Sequence, residues 1–319
     1  MNILVTGASG FIGRWLLERL DLSLVKAVGR NLPHNFPNSQ FYKQDIDNST
    51  DYSEALCDVD AVIHLAGRVH MMKEPSQVGA SSAYHEVNTA GTLNLAKQAH
   101  KAGAKRFIFV STIKVNGEST EIGQSFTALD KRRPFDDYAK SKSEAEELLL
   151  QLAEETGLEV VIIRPTLVYG PGVKANVASL MNLVSKGFPL PFGCINHNKR
   201  SLVSVTNLVD LIITCTEHPK AANQVFLVSD DHDVSTSEMV YEIAKSLNKL
   251  QWQLPIPKWS YRLVGTVLGK QKMVDRLLGS LQVDISHTKE TLGWIPPQRL
   301  DDGFKEMAEA FLLNKENNK

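Results

Sequence analysis

Several protein classes are excluded by what this 319-residue chain has little of. It has no basic surplus: 35 lysines and arginines stand against 36 aspartates and glutamates, for a formal net charge of -1. A protein that tracks nucleic-acid phosphates needs such a surplus, so a general nucleic-acid binder is excluded. There is no long apolar run. Met1 leads at once into an apolar stretch without a basic n-region or a cleavage site, so neither membrane insertion nor secretion is expected. The cysteines are three, Cys57, Cys194 and Cys215, scattered and odd in number. That pattern suits buried thiols in a reducing cytoplasm better than a disulfide framework. The nine histidines lack ligand spacing, so no metal is expected, and His70, His197 and His232 read as loop residues. Nothing repeats, and only the tail Lys315–Lys319 has the composition of a disordered segment. The length suffices for a large core, as one big domain or two smaller ones.

What is present begins at the first residues. Ile3–Val5 is an apolar run that reads as a buried strand, and Phe11–Leu20 has the apolar period of a helix. Between them Gly7, Gly10 and Gly13 are evenly spaced as G-x-x-G-x-x-G. A glycine at such a turn lets the chain reverse sharply, and another lets backbone N–H groups approach a pyrophosphate with no side chain between. The third lets helix and strand lie close, and the helix N-terminus adds partial positive charge. The stretch predicts a dinucleotide site.

Leu24–Val28 reads as the second strand, ending at Gly29-Arg30. An acidic residue to hold the ribose 2′-hydroxyl of NAD is expected near this point, and none stands here. Arg30 and Arg14 stand instead, and two guanidinium groups suit a 2′-phosphate, which favours NADP(H) while leaving NAD(H) open. Two solvated surface arginines would look the same in sequence. Phe41–Ile46 reads as strand three, with Asp45 placed to accept from an adenine amino group and Ile46 to cover the ring. Asp60–Leu65 is strand four, running into the small residues Ala66-Gly67. A helix over Tyr84–Ala102 and a strand over Arg106–Val110 follow. Strands alternating with helices predict an α/β fold, a doubly wound parallel sheet with helices on both faces. Ser111-Thr112 then falls at a strand's carboxyl end, where such sheets bind ligands, though both are also ordinary turn residues.

After a polar loop, Thr127–Arg133, Pro134 is expected to open a helix. That helix carries Tyr138 and Lys142, four apart and therefore on one face. A free phenol titrates at about 10. A neighbouring ammonium favours the phenolate, which would let Tyr138 exchange a proton with a substrate hydroxyl or carbonyl near neutral pH. Lys142 is also placed to donate to a nicotinamide ribose.

These residues together resemble the extended short-chain dehydrogenase/reductases, in the nucleotide-sugar epimerase/dehydratase group. The resemblance rests on Thr6–Gly13, His64-Leu65-Ala66-Gly67, Asn88–Thr92, Tyr138 with Lys142, and Arg164–Gly172, with a weaker match at Arg200–Val205 leading to Asn207 and Asp210. It implies an NAD(P)-binding Rossmann fold in which Phe11, Ile12, Leu65, Ala66, Gly67, Asn88 and Pro165 join the cofactor contacts. It implies Tyr138 as acid/base, Lys142 as its partner, and Thr112 as hydrogen-bond partner of the reacting sugar oxygen, with Ser111 the alternative. It places Asn176, Val177 and Arg200 at the nucleotide sugar. Arg276, before Leu277–Ser280, is a candidate second phosphate ligand, and a solvated helix arginine reads equally well. The chain departs from the family's epimerases at Thr112–Gly117, where Asn116 replaces an aromatic beside the cofactor. Ile113-Lys114 stand where 4,6-dehydratases carry Asp-Glu, which argues against elimination of water.

Val160–Arg164 reads as strand six. Residues 1–168, joined by about 202–232, are expected to form the dinucleotide domain. Residues 169–201 and 233–319 are expected to form a smaller, mostly helical substrate cap, with helices over Leu180–Lys186, Ser237–Leu247, Trp259–Leu268, Ser286–Leu292 and Asp302–Leu313. Their apolar stripes read as cap core. The stripe Tyr261 to Leu268 would suit a membrane, but its own polar face carries few basic residues. The favoured activity is NADPH-dependent reduction of a UDP-4-keto-6-deoxy-N-acetylhexosamine for surface polysaccharide (O-antigen) synthesis. The alternative is a UDP-glucose or UDP-N-acetylglucosamine 4-epimerase. A third reading is a non-catalytic NAD(P) sensor, which the retained Tyr138 and Lys142 argue against. The resemblance implies a cytoplasmic homodimer, paired through the Tyr84–Ala102 and Asp136–Glu155 helices.

Overall fold

A computed structural model describes residues 1–69, 77–173, 176–250 and 252–317. Among them are ten strands: β1 (Ile3–Thr6), β2 (Val25–Gly29), β3 (Phe41–Lys43), β4 (Ala61–His64), β5 (Arg106–Val110), β6 (Glu159–Pro165), β7 (Leu167–Tyr169), β8 (Arg200–Ser204), β9 (Gln224–Val228) and β10 (Asp233–Val234). The α-helices are α1 (Phe11–Leu17), α2 (Gln77–His85), α3 (Thr92–Lys101), α4 (Asp137–Thr156), α5 (Asn176–Ser185), α6 (Val205–Glu217), α7 (Thr236–Ser246), α8 (Lys258–Val267), α9 (Gln271–Leu278), α10 (Ser286–Leu292) and α11 (Leu300–Asn317).

Seven strands form one parallel sheet in the order β3-β2-β1-β4-β5-β6-β9. The chain leaves β1 towards β2 and β3, then returns to place β4 on the other side. The crevice beyond the carboxyl end of β1 is therefore where helices on the two faces part, the usual ligand position in such sheets. The strands are apolar on both faces because both faces are covered. Alternate residues feed separate cores. Val5, Ile63, Ile108 and Ile163 pack with Leu208 and Ile212 of α6. Leu4, Val62, Phe107 and Phe109 pack with Leu95 of α3 and Leu149 of α4.

A second, three-stranded sheet, β10-β8-β7, has β7 and β8 parallel and β10 antiparallel to β8. It carries a third core, in which Met181 of α5, Val240 and Ile243 of α7, and Phe304 and Met307 of α11 meet. The chain crosses back through β8, α6 and β9, so α6 packs on the main sheet, and α10 later returns to pack against β9, Thr288 donating to Leu227 O at 2.7 Å and His287 stacking on Phe226.

Several boundaries differ from the sequence reading. The helix expected over Tyr84–Ala102 is α2 and α3 joined by a π-helical stretch, Glu86–Gly91. Pro134 does not open a helix. α4 starts at Asp137, because the Asp136 carboxylate caps it by accepting from Ala139 N at 2.8 Å. Strand three stops at Lys43, so Asp45 and Ile46 lie in the loop beyond it. Strands β7, β8 and β10 and helix α9 were not expected as such. The stripe of α8 is not cap core: of its residues only Gly265 is buried. His197 and His232 do lie in loops, and His70 falls outside the described residues.

Phe107 has no solvent exposure and lies between His64 and the second core. Phe107→Ala is expected to cost about 3–5 kcal/mol, measured as a lowered urea midpoint at unchanged slope.

Candidate functional site

The crevice floor is the turn after β1. Gly7 takes a left-handed φ of 71°, and a Cβ there would stand 2.7 Å from Ala66 N, so only glycine fits. Gly10 is exposed and caps α1, its N–H donating to Gly7 O at 2.9 Å. Gly13 is buried against Ala8, and Phe11 and Ile12 are half-buried against the first core. The facing wall is the loop after β4, where Leu65 and Ala66 are half-buried and Gly67 is exposed. A Cβ on Gly67 would stand 3.2 Å from both Asn88 Oδ1 and Lys142 Nζ, which brings these three together at the crevice.

A buried hydrogen-bond chain ties these walls. Ala66 N–H donates to Thr6 Oγ1 at 3.2 Å, Thr6 Oγ1 meets His64 Nδ1 at 2.7 Å, His64 Nε2 meets Thr92 Oγ1 at 2.9 Å, and Thr92 donates to Asn88 O at 2.8 Å. Since Thr92 spends its proton on Asn88, it accepts from His64, which assigns the proton to Nε2 and leaves Nδ1 to accept from Thr6. Burial pushes the imidazole down to about 3, so it is neutral. Asn88 is buried, accepts from Arg68 N at 2.7 Å and donates to Arg68 O and Ser141 Oγ at 3.0 Å. Its side chain shapes the loop beside the crevice. His64 and Thr92 went unassigned in the sequence reading. A polar residue closing an otherwise apolar strand was the available signal.

At the far end of the crevice, Arg14 and Arg30 are exposed, and Arg14 Nε donates to Ser9 O at 3.2 Å. Arg30 lies in a hollow with Leu32, Phe41 and Lys43. Asp45 is exposed, with its backbone carbonyl held by Tyr52 Oη at 2.9 Å, and Ile46 is half-buried against the second core. Pro165 is buried at the end of β6, paired with Val228.

The acid/base candidates meet where β5 ends. Thr112, in the turn after β5, stands beside the Tyr138 phenol and favours its ionised form. The Tyr84 ring stands edge-on to Tyr138 at 6.3 Å, and Lys114 Nζ lies 5.9 Å from the Tyr138 ring while donating to Asp136 Oδ2 at 2.6 Å. Lys142 is buried one turn below, donating to Val110 O at 3.1 Å with its ammonium 4.4 Å from the Phe109 ring centre. One expectation is corrected here. Burial and the Asp136 carboxylate push the phenol up to about 12, Thr112 acting the other way, and the Lys142 ammonium is not among the groups that shift it. The reason is the direction of Lys142, which points to a carbonyl at the end of β5 rather than at the phenol.

Ser111 faces away. Its hydroxyl donates to Glu146 Oε1 at 2.5 Å, inside a buried network in which Arg164 donates to both Glu146 oxygens and to Asn116 Oδ1 at 3.0 Å. Asn116, expected beside the cofactor, is 1 % exposed and donates to Thr127 O at 3.0 Å. It belongs to the support of this loop and not to the crevice.

Between the loop after β5 and helices α8 and α9, a groove of 350 Å³ is lined by Arg200, Arg262, Lys272 and Arg276 with Ser119, Phe135 and Glu118. Arg200 donates to Arg276 O at 2.7 Å, and Arg276 reaches Glu118 at 3.4 Å. The sequence brought forward Arg200 and Arg276; Arg262 and Lys272 come from α8 and α9 and were missed. The Val177 side chain is buried in the cap core, so only its backbone is free to face a ligand. The Asn176 side chain lies outside the described residues.

Burial holds Lys142 down to about 8, below its ordinary 10.5. Between those values the unfolded chain holds a proton that the native chain does not, so stability rises with pH on this account. Lys142→Met is therefore expected to be the more stable protein at pH 7 by on the order of 2–3 kcal/mol, with the difference shrinking towards pH 10. Denaturant midpoints of both proteins across that range check it.

Residues 3–229 match the NAD dependent epimerase/dehydratase family. The chain is 58% identical over 314 residues to a UDP-glucose 4-epimerase of Vibrio cholerae, covering 98% of this chain and 95% of that protein. Among solved structures it resembles the UDP-glucose 4-epimerase of Thermotoga maritima with UDP-glucose, at TM-score 0.74 and 24% identity over 99% of this chain and 100% of that one. It also resembles the UDP-glucuronic acid 4-epimerase of Bacillus cereus in complex with NAD, at TM-score 0.77 and 22% identity over the whole of both chains. The first of these overturns the expected net reduction of a 4-keto sugar, since a relative this similar is an epimerase. The sign that steered away from epimerisation, Asn116, sits in a buried network instead of at the crevice. The preference for NADP is likewise unsupported: the family is NAD dependent, and Arg14 is engaged with a loop carbonyl. The chain is an enzyme of the short-chain dehydrogenase/reductase type and belongs to the NAD dependent epimerase/dehydratase family.

Proposed function

We propose that this chain interconverts the C4 epimers of a UDP-hexose, UDP-glucose and UDP-galactose in the first instance, with a tightly held NAD. The observation that carries the reading is the meeting of Thr112 and Tyr138 at the end of β5, one helical turn from the buried Lys142, in a chain that also holds a cationic groove lined in part by the loop after β5. The residues fit the cofactor: Gly10 offers exposed backbone with no side chain, and Gly67 leaves open the space beside Asn88 and Lys142 that a Cβ would fill. When bound, the nicotinamide supplies a reversible hydride acceptor.

The chain's own groups would do the rest. Gly7, Gly10 and Gly13 with Phe11, Ile12 and Leu65–Gly67 would hold the dinucleotide, and Lys142 and Pro165 would flank its nicotinamide end. Asp45 and Ile46 would face the adenine. Arg200 and Arg276, joined by Arg262 and Lys272, would grip the UDP diphosphate, guanidinium forks suiting its oxygens. Tyr138 Oη would take the proton from the sugar 4-hydroxyl and return it, while Thr112 donates to the same oxygen and holds it in line. Lys142 would favour the phenolate if its ammonium swings from Val110 O towards Tyr138. Inversion at C4 requires hydride to leave one face of the sugar and return to the other, so the groove must hold the nucleotide while the sugar turns. We take residues 1–168 with about 202–232 as the dinucleotide domain and the remainder as the cap. On this reading the protein works as a cytoplasmic homodimer in surface-polysaccharide precursor synthesis.

Purified protein given UDP-glucose and no added cofactor is expected to form UDP-galactose, followed by chromatography, and to release NAD rather than NADP on denaturation. Silence on UDP-glucose and UDP-N-acetylglucosamine alike would overturn the reading. Tyr138→Phe should lower kcat by about 10³-fold or more and Thr112→Val by about 10²-fold. Ser111→Ala should leave kcat within about threefold and lower stability by about 1–3 kcal/mol, because it breaks a buried bond outside the crevice. Equal losses of kcat at Ser111 and Thr112 would contradict the assignment.

A further inference from the structure

Helices α8 and α9 form a hairpin that stands apart from all three cores. Only Gly265 is buried in α8 and no residue is buried in α9. The two pack on each other, with Val274 Cγ2 2.7 Å from the Cβ position of Gly265. Outward, Trp259, Leu263, Val264, Val267, Leu268 and Met273 are between 53% and 76% exposed. The other helices of the cap bury their stripes; this pair does not. Scattered exposed apolar residues need no explanation, but a contiguous set on one hairpin marks an interaction surface.

The charge on the hairpin says what covers it. From residue 258 to 276 there are five basic residues, Lys258, Arg262, Lys270, Lys272 and Arg276, against one acidic residue, Asp275, in a chain whose net charge is -1. Arg262, Lys272 and Arg276 line the cationic groove, Arg276 paired there with Glu118, so Lys258 and Lys270 are the cations this hairpin keeps outside the groove. A second copy related by a two-fold axis would set this cationic surface against itself, which like-charge repulsion opposes. A surface that is acidic outside and apolar within meets both features. Cations pair with lipid headgroups while the tryptophan and aliphatic side chains sink to the acyl boundary. No helix among the described residues is long and apolar enough to cross a membrane, so the contact is peripheral.

We infer that the α8–α9 hairpin docks this protein on anionic phospholipid bilayers, holding the mouth of the cationic groove at the lipid surface. The test is flotation of the full chain with vesicles of phosphatidylcholine, with and without phosphatidylglycerol. Binding is expected on the phosphatidylglycerol vesicles alone, and to fall at least about tenfold when salt is raised well above physiological strength. Leu263→Glu with Val267→Glu should lower the bound fraction at least about tenfold while circular dichroism and activity stay unchanged. Lys258→Gln with Lys270→Gln, which leaves the apolar face intact, gives the same direction if the first variant fails to fold. The inference is overturned if the wild type does not float with phosphatidylglycerol vesicles, or if both variants bind as well as it does. It is equally overturned if light scattering shows that the variants split a wild-type dimer, since the hairpin would then be an interface between copies.

Discussion

The crevice depends on a hydrogen-bond chain that runs one way, from the Ala66 N–H through Thr6, His64 and Thr92 to the Asn88 carbonyl. All of it lies where a parallel sheet is otherwise apolar, and a buried polar group left without a partner costs about 1–3 kcal/mol. Each hydroxyl in the chain has one proton to give, so a single imidazole tautomer satisfies every member. A protonated imidazole would have two donors and face Thr6 with the wrong sense. Burial prevents that by holding His64 down to about 3. The consequence is geometric. The end of β1, the end of β4 and the π-helical stretch that carries Asn88 are fixed to one another at the place where a dinucleotide backbone must pass.

A second buried network fixes the other wall. Arg164 on β6 and Glu146 on α4 form an ion pair that has left water almost entirely, with side-chain exposures of 4% and 0%. Such a pair is weak evidence for stability, because desolvation offsets its attraction. Its value here lies in orientation. Glu146 takes the Ser111 hydroxyl and Arg164 takes Asn116, so the segment after β5 is held at both ends. With Ser111 drawn inward, the alternation of an extended chain turns Thr112 outward, towards Tyr138. The same α4 helix carries Glu146 and Tyr138, which couples the support to the reacting group without an added element.

Much of this was legible in the sequence where one residue type has one physical use. The glycine turn, the apolar strands and the four-residue spacing of Tyr138 and Lys142 are of that kind. What was not legible depends on phase and direction. Whether Ser111 or Thr112 faces the crevice is set by where β5 ends and by a glutamate 35 residues away. Spacing put Lys142 on the face of Tyr138, but the side chain has a carbonyl and an aromatic ring to choose instead. The π-helical stretch at 86–91 keeps a helical apolar pattern and so reads as plain helix. Asn116 looked like a lost contact because its partner, Arg164, is far along the chain.

Charge shows the same limit from another side. A net value of -1 over 319 residues excludes a basic protein and says nothing about how the charges are sorted. Folding brings Arg200 from β8, Arg262 from α8, and Lys272 and Arg276 from α9 around one groove, while only Glu118 and Asp275 answer them there. Arg200 is driven towards lower basicity by burial and by Arg276, so bringing the two together costs free energy. A fold that keeps like charges adjacent at a groove has a use for the potential they create, since an anion entering it would lower that cost. The helices that deliver three of these cations have almost no core of their own, so the groove and the exposed hairpin are two sides of one element and are constrained together.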